Sequence, residues 1–422
     1  MIKLPYGKSF LKLDEEAIKA EVISSKKVEK IHQVEEKLIE NLEKSIESPP
    51  LRKLISKSKK TLIIVPDKTR AFPFKEIIPP LLRYIEENIE LRILIATGLH
   101  KPHIKSEIEE LLGREVVEKY EVLSHNAEDY SQISKLNKTT KFGTPIEVNK
   151  EVLSSDLVIG LGLIEPHFFA GYSGGRKIIL PGVASIKAIY SNHSFKMINH
   201  PNAKYGVLTG NPIHEDMIEF MKHTKLNYIV NVTINREKEV TGIFCGDPMK
   251  AHIEGVKFLD SYVKIPVKKT YDIVITTNGG YPLDRNLYQA VKGMAIGELL
   301  VNRRGVIVIA SECIDGLGGH EEFYNLFLEA NNPLKVYDRI RQNEPIKDQW
   351  EAQILARILM KASIIVVSKM KQSIIEEMLM KPASTIQEAI SEAIKTVKKK
   401  NPSIVIVPEG PYIIPEISSN SN

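Results

Sequence analysis

Short apolar runs rich in valine and isoleucine recur along the chain, separated by stretches whose apolar residues fall at helical spacing. The runs at 61–65, 91–96, 157–160, 273–276, 306–309, 363–367 and 403–407 read as strands buried on both faces. Between them, residues 31–48 carry Ile31, Val34, Leu38 and Leu42 on one helical face, and residues 385–397 carry Ile386, Ala389, Ile390 and Ala393. Thr385 followed three residues later by Glu388 is a capping signal. This alternation predicts an α/β fold with mainly parallel sheets and helices on both faces. The stretch 262–271 holds Pro266 and several charges and precedes a fresh series of strands. It predicts a boundary between two α/β domains, residues 1–265 and 266–422. The tail 418–422 reads as a frayed end.

Composition narrows the class. With 43% apolar and 26% charged residues a full core can form, which rules out general disorder. The net charge of +5 is spread along the chain, where a nucleic-acid protein concentrates basic residues on one face. The two cysteines, Cys245 and Cys313, fall in no CxxC or Cys/His spacing. A disulfide scaffold is therefore excluded, a zinc finger is not supported, and a reducing compartment is expected. The start, MIKLPYGKSFLKLDEE, lacks the apolar core of a signal peptide, and no apolar run reaches the ~20 residues that span a bilayer. A cytoplasmic chain with no membrane or nucleic-acid partner is expected.

Ligands of open α/β sheets bind beyond the carboxyl ends of the strands, and the unusual polar residues follow strands there. The 61–65 run leads into Asp67, Lys68, Thr69 and Arg70. The 91–96 run leads into Thr97-Gly98-Leu99-His100, and 157–160 leads towards Glu165-Pro166-His167. The 273–276 run leads into Asn278-Gly279-Gly280-Tyr281.

Further on, Gly171, Ser173, Gly174 and Gly175 precede Arg176 and Lys177. One reading is a backbone cradle for a phosphate-bearing ligand beside a reactive lysine. The other is a glycine-rich turn flanked by surface cations. Neither a P-loop nor a dinucleotide fingerprint is present.

Of eleven histidines, His32, His214, His223, His252 and His320 read as surface or packing residues. His100, His103, His125, His167, His193 and His200 cluster in the middle of the first half. His100 and His167 follow strands, and two imidazoles facing one pocket suit acid/base work from opposite sides. His193 or His200 suits a metal of the nickel, copper or zinc type, and spacing does not choose between them. Lys292, with Gln289 one turn earlier, suits a substrate carboxylate. Taken alone, that segment favours an exposed amphipathic helix.

These residues carry a resemblance. The string Phe168-Phe-Ala-Gly-Tyr-Ser-Gly-Gly-Arg-Lys177 resembles the nickel-dependent lactate racemases, which use a nickel-pincer nucleotide. So do Asn278-Gly-Gly-Tyr-Pro-Leu-Asp284, Tyr288-Gln-Ala-Val-Lys-Gly-Met294 and Asp348-Gln-Trp350. The similarity runs over nearly the whole length.

It implies an isomerase that interconverts D- and L-lactate by reversible hydride transfer, with its active site in the cleft between two domains, the first of them cofactor-binding. It further implies the nickel-pincer nucleotide covalently held on Lys177, with His193 as the nickel ligand and His100 and His167 as acid/base residues. Asp67, Lys68, Thr69 and Arg70 would contact cofactor or substrate. Tyr288, Gln289 and Lys292, with Arg70, would hold substrate. Ala71 stands where the family's motif has proline. Partners implied are a small 2-hydroxy acid and the proteins that make and deliver the cofactor. A racemase or epimerase of another 2-hydroxy acid, such as malate or a longer-chain acid, stays open, as does a non-catalytic carrier of the nucleotide. The carrier is disfavoured because it needs no acid/base pair, and a nicotinamide dehydrogenase because the glycine fingerprint is absent.

Overall fold

The computed structural model describes residues 1–14, 18–85 and 90–417; the expected frayed tail at 418–422 lies outside them. The chain divides into two units. One is Lys27–His193 with His200–Ser261, and the other is Met1–Lys26 with Ser194–Asn199 and Tyr262–Asn422.

The first unit is built on a six-stranded sheet in the order Val240–Gly246, Tyr228–Ile234, Leu157–Leu163, Lys60–Pro66, Glu90–Ala96 and Glu121–Ser124. All neighbours are parallel except the hairpin of the first two. The central strands are buried almost throughout, as the unbroken apolar runs require. Ile63, Val65, Ile93 and Ile95 pack with Leu38 and Leu42 of helix Val34–Glu43 and with Ile77 and Leu81 of helix Phe74–Tyr84. The first of these helices is shorter than the periodicity over 31–48 predicts. Its end turns into the sheet edge, where the Ile46 N–H donates to the Cys245 carbonyl at 2.8 Å.

The second unit holds a wholly parallel sheet. Its order is Lys381–Ala383, Ser363–Val367, Val301–Ala310, Tyr271–Thr277, Ile404–Val407 and Glu21–Val22. The last strand explains why Met1–Lys26 groups here, whereas a single cut near residue 265 places it with the other half. Leu4, Tyr6 and Leu13 enter the core beside Ile273, Ile275, Val308 and Ile406, and the Gly7 N–H donates to the Asp284 carboxylate at 2.6 Å. The expected linker over 262–271 is structured: helix Lys250–Val263 passes directly into strand Lys264–Val267, which pairs with Ile414–Ile417. At helix Ile386–Val397 the Thr385 hydroxyl accepts the Glu388 N–H at 3.1 Å. The Glu388 carboxylate reaches back to the Ser384 N–H at 2.8 Å.

Candidate functional site

Asp67 follows strand Lys60–Pro66 and is buried. Its Oδ1 accepts the Thr69 hydroxyl at 2.6 Å and the Thr69 N–H at 3.1 Å, and its Oδ2 lies 2.6 Å from His100 Nδ1. Burial opposes ionisation, but His100, Thr69 and Arg70 outweigh it and hold the carboxyl well below the usual carboxylate range. An ionised carboxylate only accepts hydrogen bonds. The proton of neutral His100 therefore sits on Nδ1, and Nε2 is left as the basic atom. His100 comes from the neighbouring strand Glu90–Ala96, and its side chain is 39% exposed, so the base is reachable. Arg70 aims Nη1 at Glu165 Oε1, 2.9 Å away, which ties the Asp67 loop to the loop after Leu157–Leu163. That ion pair sets the direction of Arg70 where a proline at position 71 is missing. Lys68 turns its ammonium to Glu107.

His167 is buried on that third loop, its ring 4.9 and 4.5 Å from those of Phe168 and Phe169. Its Nδ1 accepts the Ala170 N–H at 3.2 Å, and its Nε2 lies 3.3 Å from Lys177 Nζ. The His100 loop meets the lysine loop through a bond from the Gly98 N–H to the Gly182 carbonyl, 3.0 Å. Asp67, Arg70, His100, His167 and Lys177 are thus carried by three adjacent strands and one shared loop.

The lysine loop turns part of its polar surface inward. The Gly175 N–H donates to Asn231 Oδ1 at 2.7 Å. Arg176 is turned inward and buried, with Nη2 donating to the Ala170 and Tyr172 carbonyls, each at 2.8 Å. Burial pushes its guanidinium down to about 9. Gly171 has φ +79°, and a Cβ there would sit 2.2 Å from the Val207 carbonyl oxygen. His252 packs beneath the loop, its Nε2 2.8 Å from the Ser173 carbonyl, and burial with Arg176 pushes it down to about 3. Arg176 is therefore the staple that shapes the loop presenting Lys177.

His193 caps helix Ile186–Asn192 and is buried, its ring 5.0 Å from that of Phe169. Burial, then the charge of Lys177, hold it well below the usual histidine range, so it is a neutral imidazole, the form that binds metals. Among the described residues no group of three His, Cys, Asp or Glu side chains can hold a metal ion. His193 alone does not make a closed protein metal site, and a neutral imidazole there fits a metal that arrives with donors of its own.

The preceding Asn192 donates to Asp216 at 2.7 Å, and Asp216 also takes the Thr144 hydroxyl at 2.7 Å. Sequence reading missed this anchor, since a lone aspartate inside a helix carries no signal. His200 is exposed, and His125 is buried between Ala184 and Asn149. His103 accepts the Lys68 N–H at 3.4 Å.

In the second unit, Tyr288, Gln289 and Lys292 lie at the start of helix Leu287–Leu300. That helix is buried on nearly every side, which overturns the expectation of an exposed amphipathic helix. Half-buried Lys292 donates to Gln289 Oε1 at 2.6 Å, so the two polar ends meet, as their spacing predicts. The Tyr288 hydroxyl donates to Asp348 at 3.0 Å. Asp348 also receives His320 Nδ1 at 2.8 Å, which gives His320 a chemical setting that its position in the sequence does not suggest.

Residues 6–206 match the family model for the lactate racemase N-terminal domain, and residues 267–414 match that for the lactate racemase C-terminal domain. The chain is 40% identical to a lactate racemase of Thermoanaerobacterium thermosaccharolyticum, covering 98% of both chains. To that of Lactiplantibacillus plantarum it is 36% identical, over 98% of this chain and 99% of the relative. The solved structure of the lactate racemase apoprotein from Thermoanaerobacterium thermosaccharolyticum superposes with a TM-score of 0.92 at 38% identity, over 98% of this chain and 99% of that one. A Thermotoga maritima protein, 18% identical, shares the fold with a TM-score of 0.70 over 91% of this chain and 98% of its own. This chain belongs to the lactate racemase family.

Proposed function

We propose that the protein is an isomerase interconverting D- and L-lactate, with His100 and His167 as its acid/base residues. The reading rests on family membership, and one observation carries it: an Asp67-locked His100 on one loop and a His167 in contact with Lys177 on the next.

The cofactor is a nickel-pincer nucleotide joined to Lys177, with the nickel on His193. The neutral, buried His193 and the lack of any three-residue metal group among the described residues support a metal supplied with an organic group. When bound, that group would supply an acceptor for the α-hydrogen of lactate and its electron pair. His100 takes the hydroxyl proton of one enantiomer on Nε2, while Asp67 stabilises the imidazolium that forms. His167 is the acid/base residue for the other enantiomer. Arg70 anchors the substrate carboxylate with the N–H groups that Glu165 does not occupy. Lys292, Gln289 and Tyr288 add further substrate contacts, and Asp67, Lys68 and Thr69 contact the cofactor.

The α-hydrogen beside an ionised carboxylate is a poor acid. Removing it with its electron pair, while a base takes the hydroxyl proton, avoids a dianionic carbanion. The proteins that build and deliver the cofactor are the necessary partners, and the cytoplasm is the expected setting. Among the described residues no helix is long and apolar enough to cross a membrane.

Intact-protein mass spectrometry with nickel analysis tests the reading, on protein made alongside the cofactor-making enzymes. The expected result is added mass on the peptide holding Lys177, nickel in equal amount, and loss of both in Lys177→Ala. Racemase activity with an unmodified Lys177 overturns it. Rates with malate and longer 2-hydroxy acids then fix the substrate.

A further inference from the structure

The start of helix Leu287–Leu300 is held by a second histidine–carboxylate pair, which the chemistry above does not use. Asp348 is buried at φ +58°, immediately before helix Gln349–Lys361. Aspartate is one of the few residues other than glycine that adopt that left-handed backbone readily.

The carboxylate oxygens divide their partners. Oδ2 accepts the His320 N–H at 2.7 Å and faces His320 Nδ1 at 2.8 Å. Oδ1 accepts the Tyr288 hydroxyl at 3.0 Å, and that hydroxyl oxygen accepts the Trp350 indole N–H at 3.1 Å. The hydroxyl has one proton, and Asp348 holds it, so the orientation of Tyr288 is set. The loop before His320 closes on the same atoms: a Cβ at Gly319 would sit 2.7 Å from the Tyr288 ring and 2.9 Å from Asp348 Oδ2.

We propose that Asp348 is the positioning residue for Tyr288, and through it for Gln289 and Lys292, and that the proton on His320 sets how firmly it acts. Charged His320 binds Asp348 strongly, whereas neutral His320 keeps only a hydrogen bond. The hydrogen bond to Asp348 raises His320 above its ordinary value. Glu322 adds to the rise, while burial and Lys347 oppose it. Tyr288 itself does not titrate in this range, because burial, then Asp348 and Glu351, hold its hydroxyl far above 10. The consequence for catalysis rests on the reading of Gln289 and Lys292 as substrate contacts. The network itself does not.

Trp350 is the only tryptophan of the chain, so its emission reports this network directly. In the full-length protein, emission followed from about pH 5 to about pH 9 is expected to show one step with a midpoint above the ordinary histidine value of ~6.5. His320→Gln should abolish the step. Asp348→Asn, whose new residue tolerates the left-handed backbone, should shift emission at every pH. In the cofactor-loaded enzyme, His320→Gln should raise the lactate KM several-fold near neutral pH with little change in kcat, and the difference should close at high pH. A purely structural role would lower thermal stability without that pH dependence.

A wild-type emission profile that is flat, or a step that survives in His320→Gln, overturns the proposal. If the step behaves as expected but Gln289→Ala and Lys292→Ala leave KM unchanged, the positioning role is supported and the substrate assignment is what fails.

Discussion

His100 Nδ1 lies 2.6 Å from the ionised Asp67 carboxylate, and this one contact makes a reachable imidazole into a base of fixed tautomer. In Asp67→Asn the amide nitrogen can donate to Nδ1, which moves the ring proton to Nε2 and removes the base. A loss in kcat of about 10²–10⁴ is expected. It should be seen from either enantiomer, because every step is reversible. Steady-state rates with D- and L-lactate on loaded enzyme check this, and an Asp67→Asn enzyme running at the wild-type rate sinks the role of the pair.

The same carboxylate makes stability depend on pH, with a definite sign. Its folded pKa lies below the unfolded value of about 3.9. The group therefore adds stability above pH ~4 and loses it as pH falls through the folded value. Thermal unfolding from neutral to strongly acid pH should show the gap between wild type and Asp67→Asn narrowing on acidification. A gap that widens instead contradicts the assignment.

The strands that end on Asp67, His100 and Glu165 are legible in the sequence because burial on both faces leaves an unbroken apolar run. Strand Tyr228–Ile234 is not, because buried Asn231 and Thr233 interrupt it. The reason for Asn231 is distant: its side chain holds the Gly175 N–H. The edge strand Glu21–Val22 has two residues and no periodicity, so nothing local assigns the N-terminus to the second sheet. The polar loop residues are legible as a location, since ligands gather at strand ends. Their pairings are not: His100 with Asp67, Arg70 with Glu165 and His320 with Asp348 join residues 28–95 positions apart. Arg176 misleads for a related reason. A charge reads as surface until the loop folds and its own carbonyls become the partners.

Thr385 offers a check on what local sequence does reveal. Its hydroxyl satisfies an N–H that the helix itself leaves without an acceptor, so Thr385→Ala should cost about 1 kcal/mol. Chemical denaturation measures it, with activity of the loaded enzyme unchanged.

Arg176→Lys separates the two readings of the glycine-rich loop. If Arg176 staples the loop, lysine cannot reach both the Ala170 and Tyr172 carbonyls, and at least one is left buried without a donor. A loss of about 2–4 kcal/mol is then expected in urea unfolding. If Arg176 instead bound an anion, stability in the absence of ligand would hold.

Arg70 and Glu165 form a partly buried ion pair in which Glu165 accepts only from Nη1. The remaining guanidinium donors form the planar fork that matches a carboxylate. Glu165 therefore aims the arginine without occupying it. Lysine cannot form that fork, so Arg70→Lys should raise the lactate KM roughly tenfold, the equivalent of ~1.4 kcal/mol, with a smaller change in kcat. Glu165→Gln keeps an oxygen acceptor and should stay near wild type. Glu165→Ala removes the acceptor, lets the guanidinium swing, and should approach the KM of Arg70→Lys. The ordering across the three variants is the informative result. A Glu165→Ala enzyme with lower KM than wild type would mean that the glutamate competes with substrate for the arginine, and Arg70 would then be a residue held in reserve by its own ion pair.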